Sequence, residues 1–130
     1  MDVRERVRLP LLLLRLGVFL VMLMWTLDKL VNPDHAGAVF ANFYGLEGVG
    51  PALLAVVAVA ELALIAAFVA GFARRWSYGL VLVFHAVSTL SSWRQYLDPF
   101  ENLLFFAAWP MLAACFTLYY LRRWDTRWTL

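Results

Sequence analysis

Charge is scarce in this chain, with Asp, Glu, Lys and Arg together at 15% of 130 residues, and Cys115 is its single cysteine. Little charge beside a hydrophobic fraction of 64% and a mean hydropathy of +0.74 argues against an ordinary soluble globule. One cysteine excludes an internal disulfide, a CxxC redox pair and a cysteine-rich metal site. Its place in the last apolar run suits an inert packing thiol. Histidine is almost as sparse: His35 and His85 fall at different depths and no third nitrogen or sulfur ligand accompanies them, so no metal site is expected. The chain also carries no haem-ligand pair, flavin motif, iron–sulfur ligand set, internal repeat or low-complexity tract.

What the chain has in abundance is long apolar runs. A membrane core of roughly 30 Å takes about 20 mostly apolar residues to cross as a helix. Four segments meet that length, at about 9–31, 49–72, 76–96 and 102–121, and they take up most of residues 1–130. The expected fold is therefore all-α, a single integral-membrane domain built as a four-transmembrane-helix bundle. The first run follows Arg4, Arg6 and Arg8 and so resembles a signal peptide. It is longer than a signal's apolar core, and Asp28, Lys29 and Pro33 lie before the small-residue triplet at 36–38, so it is expected to remain as a span.

The connection at 32–48 is the only long one. Pro33 and Asp34 suit a helix start, and Val39, Phe40, Phe43 and Tyr44 recur at helical spacing, which predicts a short amphipathic surface helix over 36–46. The remaining links are short, so consecutive helices should be antiparallel neighbours. Alanines and Gly71 crowd the second run, the composition that lets helix backbones approach closely in lipid. Pro110 should kink the fourth span or free a carbonyl near Phe106.

Arginines mark one side of this layout. Arg4, Arg6 and Arg8, Arg74 and Arg75, and Arg122, Arg123 and Arg127 all fall at the same ends of the alternating spans, opposite only Lys29 and Arg94, which accompany Asp28, Asp34, Glu47, Asp98 and Glu101. The positive-inside rule then places both termini in the cytoplasm of a bacterial-type inner membrane. Trp76, Tyr119, Tyr120 and Trp124 mark the inner interface, and Trp25, Tyr44, Trp93 and Tyr96 the outer one. The net charge of +2 is thus a topology signal, and no nucleic-acid partner is expected.

Glu61 stands in the middle of PALLAVVAVAELALIAAFVAGF. A carboxylate at the centre of a spanning helix costs roughly 2.5–3.5 kcal/mol on insertion scales, so it needs a partner or a wet cavity. Counting helical rise puts Arg15 about 9 Å above the inner end of its span, Glu61 about 18 Å from either end and His85 about 13–14 Å up. With the reach of the arginine side chain, these three heads are expected to meet as a buried Arg15–Glu61–His85 cluster. Ser88, Ser92 and Tyr96 continue from His85 towards the outer surface, and Lys29 shares a face with Arg15. Arg15, Lys29, Glu61, His85, Ser88 and Ser92 are accordingly the expected ligand-binding residues of an apolar-walled pocket. The alternative for the serines is bonding to their own helix carbonyls; for Arg15 it is snorkelling to the inner headgroups.

The chain resembles the DoxX-like family of small four-helix membrane proteins. The resemblance rests on LLRLGVFLVMLMWTLDKL, on AELALIAAFVAGFARRWSYG and on the histidine of LVLVFHAVS, and covers nearly the whole length. Where the family carries a glycine shortly before the lysine, this chain has Trp25 and Thr26. The resemblance implies a four-helix bundle, points again to Arg15, Lys29, Glu61 and His85, and implies association, in some members, with quinone-linked sulfur oxidation or other membrane redox systems.

The expectation that follows is an accessory subunit of a membrane redox system holding a quinone or other small lipophile near Glu61 and His85. There would be no intrinsic cofactor, and a partner membrane or redox protein would supply the electrons. Two alternatives stay open: a non-catalytic adaptor or assembly factor docking a partner membrane protein, and a small-molecule transporter, which four short helices would serve best as a homo-oligomer.

Overall fold

A computed structural model describes residues 2–31, 38, 41–42 and 51–129. Among these the secondary structure is helical throughout, with no strand. Helix α1 runs Val3–Val31, α2 Pro51–Val69, α3 Arg74–Ser91, α4 Trp93–Tyr96 and α5 Ala108–Tyr120, with 3-10 turns at Pro99–Glu101 and Leu103–Ala107. Of the expected surface helix at 36–46, only Ala38, Ala41 and Asn42 are among the described residues, and these three are helical.

Each boundary has a local cause. The Asp2 carboxylate accepts the Glu5 backbone N–H at 3.0 Å and caps the start of α1. Between α2 and α3 the chain turns through Gly71, at φ 68, and Ala73, at φ 49. Gly71 lies in the left-handed region that glycine tolerates best and that commonly ends a helix. The turn is closed by Phe72 N–H donating to Ala67 O at 2.9 Å and by the Ser77 hydroxyl donating to Phe72 O at 2.9 Å. The third expected span is divided: α3 stops at Ser91, Ser92 serves as the cap, and α4 continues to Tyr96. Residues 103–107 form a 3-10 turn that relaxes into α5 two residues before Pro110. Proline has no N–H to give the turn before it, so the tighter 3-10 pattern fits there.

Three helical stretches are long and apolar enough to cross a membrane, at Val3–Asp28, Ala52–Val69 and Leu103–Tyr120. They are mostly unburied within the molecule, with only 22%, 22% and 11% of their apolar windows inside. Such apolar outer faces suit contact with lipid tails.

Among the described residues α1 packs on α2, α2 on α3, α3 on α5, and α5 back on α1, so neighbours meet around a ring while the backbones of the diagonal pairs stay apart and α1 meets α3 only through side chains. The core lies towards the end where α1 begins. Leu11, Val18, Phe68, Tyr78, Val81, Cys115 and Leu118 form one buried cluster. The opposite end is looser on the α5 side, where no residue from 103 to 113 is buried.

Candidate functional site

Arg15 is fully buried, yet its partners are not the expected ones. Its Nη1 donates to Asp125 Oδ1 at 2.6 Å, and neither side chain is exposed. Tyr78 completes the pair by donating its hydroxyl to Asp125 Oδ2 at 2.6 Å, and Arg15 Nη1 lies 3.4 Å from the same hydroxyl. Arg15 Nη2 donates to the carbonyls of Arg127 and Trp128. Arg74 reinforces the arrangement from the start of α3, its Nη1 donating to Arg122 O at 3.0 Å and to Asp125 O at 2.6 Å.

Two arginines thus hold the segment after α5 against the end of the helices by both its side chain and its backbone. A planar guanidinium with five donors is suited to gathering several acceptors at once. The segment closes tightly over the α2–α3 turn as well: a Cβ built on Gly71 would come within 2.5 Å of Thr129 Cγ2.

Glu61 belongs to a different level. Its Oε2 lies 3.1 Å from the Thr26 hydroxyl, whose shorter contact, 2.7 Å, is to Met22 O on its own helix. Thr26 is eleven positions beyond Arg15, or about 16 Å along α1. The expected single-level cluster of Arg15, Glu61 and His85 is therefore divided in two. The cause is Asp125, which meets Arg15 at the level of Tyr78 and leaves no reason for its guanidinium to reach upward.

Glu61 and His85 do share a level. The rings of Phe68 and Tyr78 pack at 5.0 Å between centroids, where α2 ends and α3 begins. Glu61 precedes Phe68 by seven residues and His85 follows Tyr78 by seven, so both lie about 10 Å further along their helices on the faces that carry those rings. His85 is 2% exposed and its Nε2 lies 3.0 Å from Ala108 O, at the junction of the 3-10 turn with α5.

The remaining expected residues are less committed to a common site. Ser88 supplies its carbonyl to the Ser91 hydroxyl at 2.8 Å and, more weakly, to that of Ser92 at 3.4 Å. These are bonds to the serines' own helix, as the alternative reading holds. Tyr96 reaches back from α4 to donate to Thr89 O at 2.8 Å, bracing the break at Ser92. The side chain of Lys29 lies outside the described residues. Among the described residues no group of three or more His, Cys, Asp or Glu side chains could hold a metal ion.

The residues that sequence reasoning passed over are Asp125, Tyr78, Arg74 and Thr26. Asp125 had a signal of its own, as one of only three acids, with Asp2 and Glu5, at the arginine-rich ends of the spans. Tyr78 lies two turns before His85 on the same face of α3. No protein-family model, curated protein or solved structure matches the chain.

Proposed function

We propose that this chain is a DoxX-like, four-span protein of a bacterial-type inner membrane that binds a small lipophilic ligand, a quinone, at Glu61 and His85 as an accessory subunit of a membrane redox system. The observation that carries the reading is Glu61: a half-buried carboxylate in the middle of an apolar, membrane-length helix, in contact with the Thr26 hydroxyl and level with buried His85. Ionisable groups at such depth line ligand or proton paths far more often than they stand idle. Quinone chemistry needs a titratable donor or acceptor beside the carbonyl oxygens, and a carboxylate with an imidazole supplies both.

The fourth span in this proposal is α3 with α4. Eighteen residues of α3 rise about 27 Å, close to the hydrocarbon thickness, and α4 extends them. Arg74 and Arg75 at its first turn lower its hydropathy most, and Ser77, Tyr78, His85 and Thr89, which lower it further, are turned inward. Arg15 leaves the ligand set in this reading, because Asp125 takes its charge.

Protein purified in mild detergent should carry a quinone in its lipid extract or bind an added one in titration, and Glu61→Gln should lower that binding without unfolding the protein. Protein that retains none and binds none sinks the proposal. The adaptor reading is favoured by the unburied outer part of the last span, where Leu104 is 89% and Trp109 43% exposed. On that reading Glu61→Gln leaves the associated system working, while substitutions at Leu104 and Trp109 abolish co-purification.

A further inference from the structure

The end of the molecule where α1 begins is unusually one-sided in charge. Arg4, Arg6, Arg8, Arg75, Arg123 and Arg127 are exposed there, against two exposed carboxylates, Asp2 and Glu5. Asp2 is partly engaged in capping α1. The third acid of this end, Asp125, contributes nothing to the surface, since it is fully buried on Arg15 and Tyr78.

That burial has a geometric result. Holding Asp125 and the carbonyls of Arg122, Arg127 and Trp128 inward leaves Arg123, Arg127 and Trp128 outward, with Trp128 at 74% exposure. Trp76 and Tyr120, 67% and 72% exposed, stand at the same end of α3 and α5. Exposed cations interleaved with amphipathic aromatic rings match the headgroup zone of a bilayer, where rings sit at the interface and cations meet phosphates.

We infer that the segment 121–129, clasped by Arg15 and Arg74, forms with the first turns of α1 a binding face for anionic phospholipid headgroups. The buried ion pair creates the face by withdrawing the only acid of the segment and by fixing its arginines on the outer side. The partner is a phosphodiester headgroup in a bilayer leaflet, because the cations are spread around the rim of an apolar body instead of converging on one point. The inference is independent of any ligand at Glu61.

The test is competition for lipid. The protein in nanodiscs made from equal parts of phosphatidylglycerol and phosphatidylcholine is extracted, and the co-purifying lipid is counted by mass spectrometry. The parent should retain phosphatidylglycerol preferentially, and about 0.5 M salt, with a Debye length of roughly 4 Å, should reduce the preference. The double change R123Q/R127Q keeps the clasp and should lower the preference by about fivefold per arginine removed.

Asp125→Asn keeps every arginine and should lower the preference too, by releasing the segment. Should that variant fail to fold, R123Q/R127Q decides alone. Parental selectivity in R123Q/R127Q, or in a folded Asp125→Asn protein, overturns the inference. So does equal displacement of the bound lipid by inorganic phosphate, which would make the site one for a free anion.

Discussion

Arg15 and Asp125 are 110 positions apart in the chain, yet their side chains meet at 2.6 Å with neither exposed. Tyr78 places its hydroxyl on the second carboxylate oxygen, so both oxygens are engaged. Desolvated charges are costly, and such a pair is tolerated only when its remaining lone pairs and protons are also occupied. Here the carbonyls of Arg127 and Trp128 take the other arm of the guanidinium, and only its buried Nε has no partner among the described residues. The pair is best understood as fixing where the segment after α5 lies.

The first prediction follows from that asymmetry. Asp125→Ala leaves a buried guanidinium without its counter-charge and should cost about 3–5 kcal/mol, whereas replacing both Arg15 and Asp125 by Ala should cost less than that single change. Melting curves of both single mutants and the double, in one detergent, read the coupling directly. Additive effects would mean the two residues do not interact.

Tyr78→Phe removes only the hydroxyl oxygen while keeping the ring against Phe68. Asp125 Oδ2 would then lose its donor in a buried setting, at a cost of about 1–3 kcal/mol. In an Asp125→Leu background the same change should cost markedly less. A melt that falls equally in both backgrounds would show that the hydroxyl does not serve Asp125.

Gly71→Ala should destabilise the protein for two separable reasons. The residue sits at φ 68, which costs a non-glycine about 1 kcal/mol, and the new methyl would lie 2.5 Å from Thr129 Cγ2. Combining it with Thr129→Gly should restore the part due to the clash and leave the part due to φ. No restoration in the double mutant would place the segment elsewhere.

Cys115 offers a probe that needs no new label site. It is 1% exposed within the buried cluster, so a thiol reagent should modify it only when the helices separate. Its labelling rate should rise in step with the losses expected for Asp125→Ala and Tyr78→Phe. Rapid labelling of the folded parent would contradict the packing described here.

Much of the fold was legible because apolar runs of membrane length have few alternatives. The runs at 9–31 and 49–72 became α1 and α2 with shifted ends, and the tight turn falls at 70–73, so that Arg74 and Arg75 of the expected link open α3. The departures came from local backbone chemistry, the break at Ser92 and the 3-10 turn before Pro110, which hydropathy does not register. Glu61 stood out in the sequence because a charge in an apolar run is conspicuous. Its neighbour Thr26 did not, since a threonine one turn from a lysine and an aspartate looks like a span end. Arg15 stood out as well, but its partner was sought among the other apolar runs. Asp125 lies in a polar segment, WDTRW, that reads as interfacial, and it turns inward because Arg15 and Tyr78 hold its carboxylate while Arg15 and Arg74 gather the backbone carbonyls around it.

The clasp also sets an order in time. A ribosome adding roughly 5–20 residues per second makes Asp125 on the order of ten seconds after Arg15. If α1 enters a bilayer during that interval, it does so with a cation whose counter-charge does not yet exist. Water, headgroup phosphates or the insertion machinery have to attend Arg15 until the later segment arrives. A chain halted before Asp125 would therefore keep Arg15 without its counter-charge.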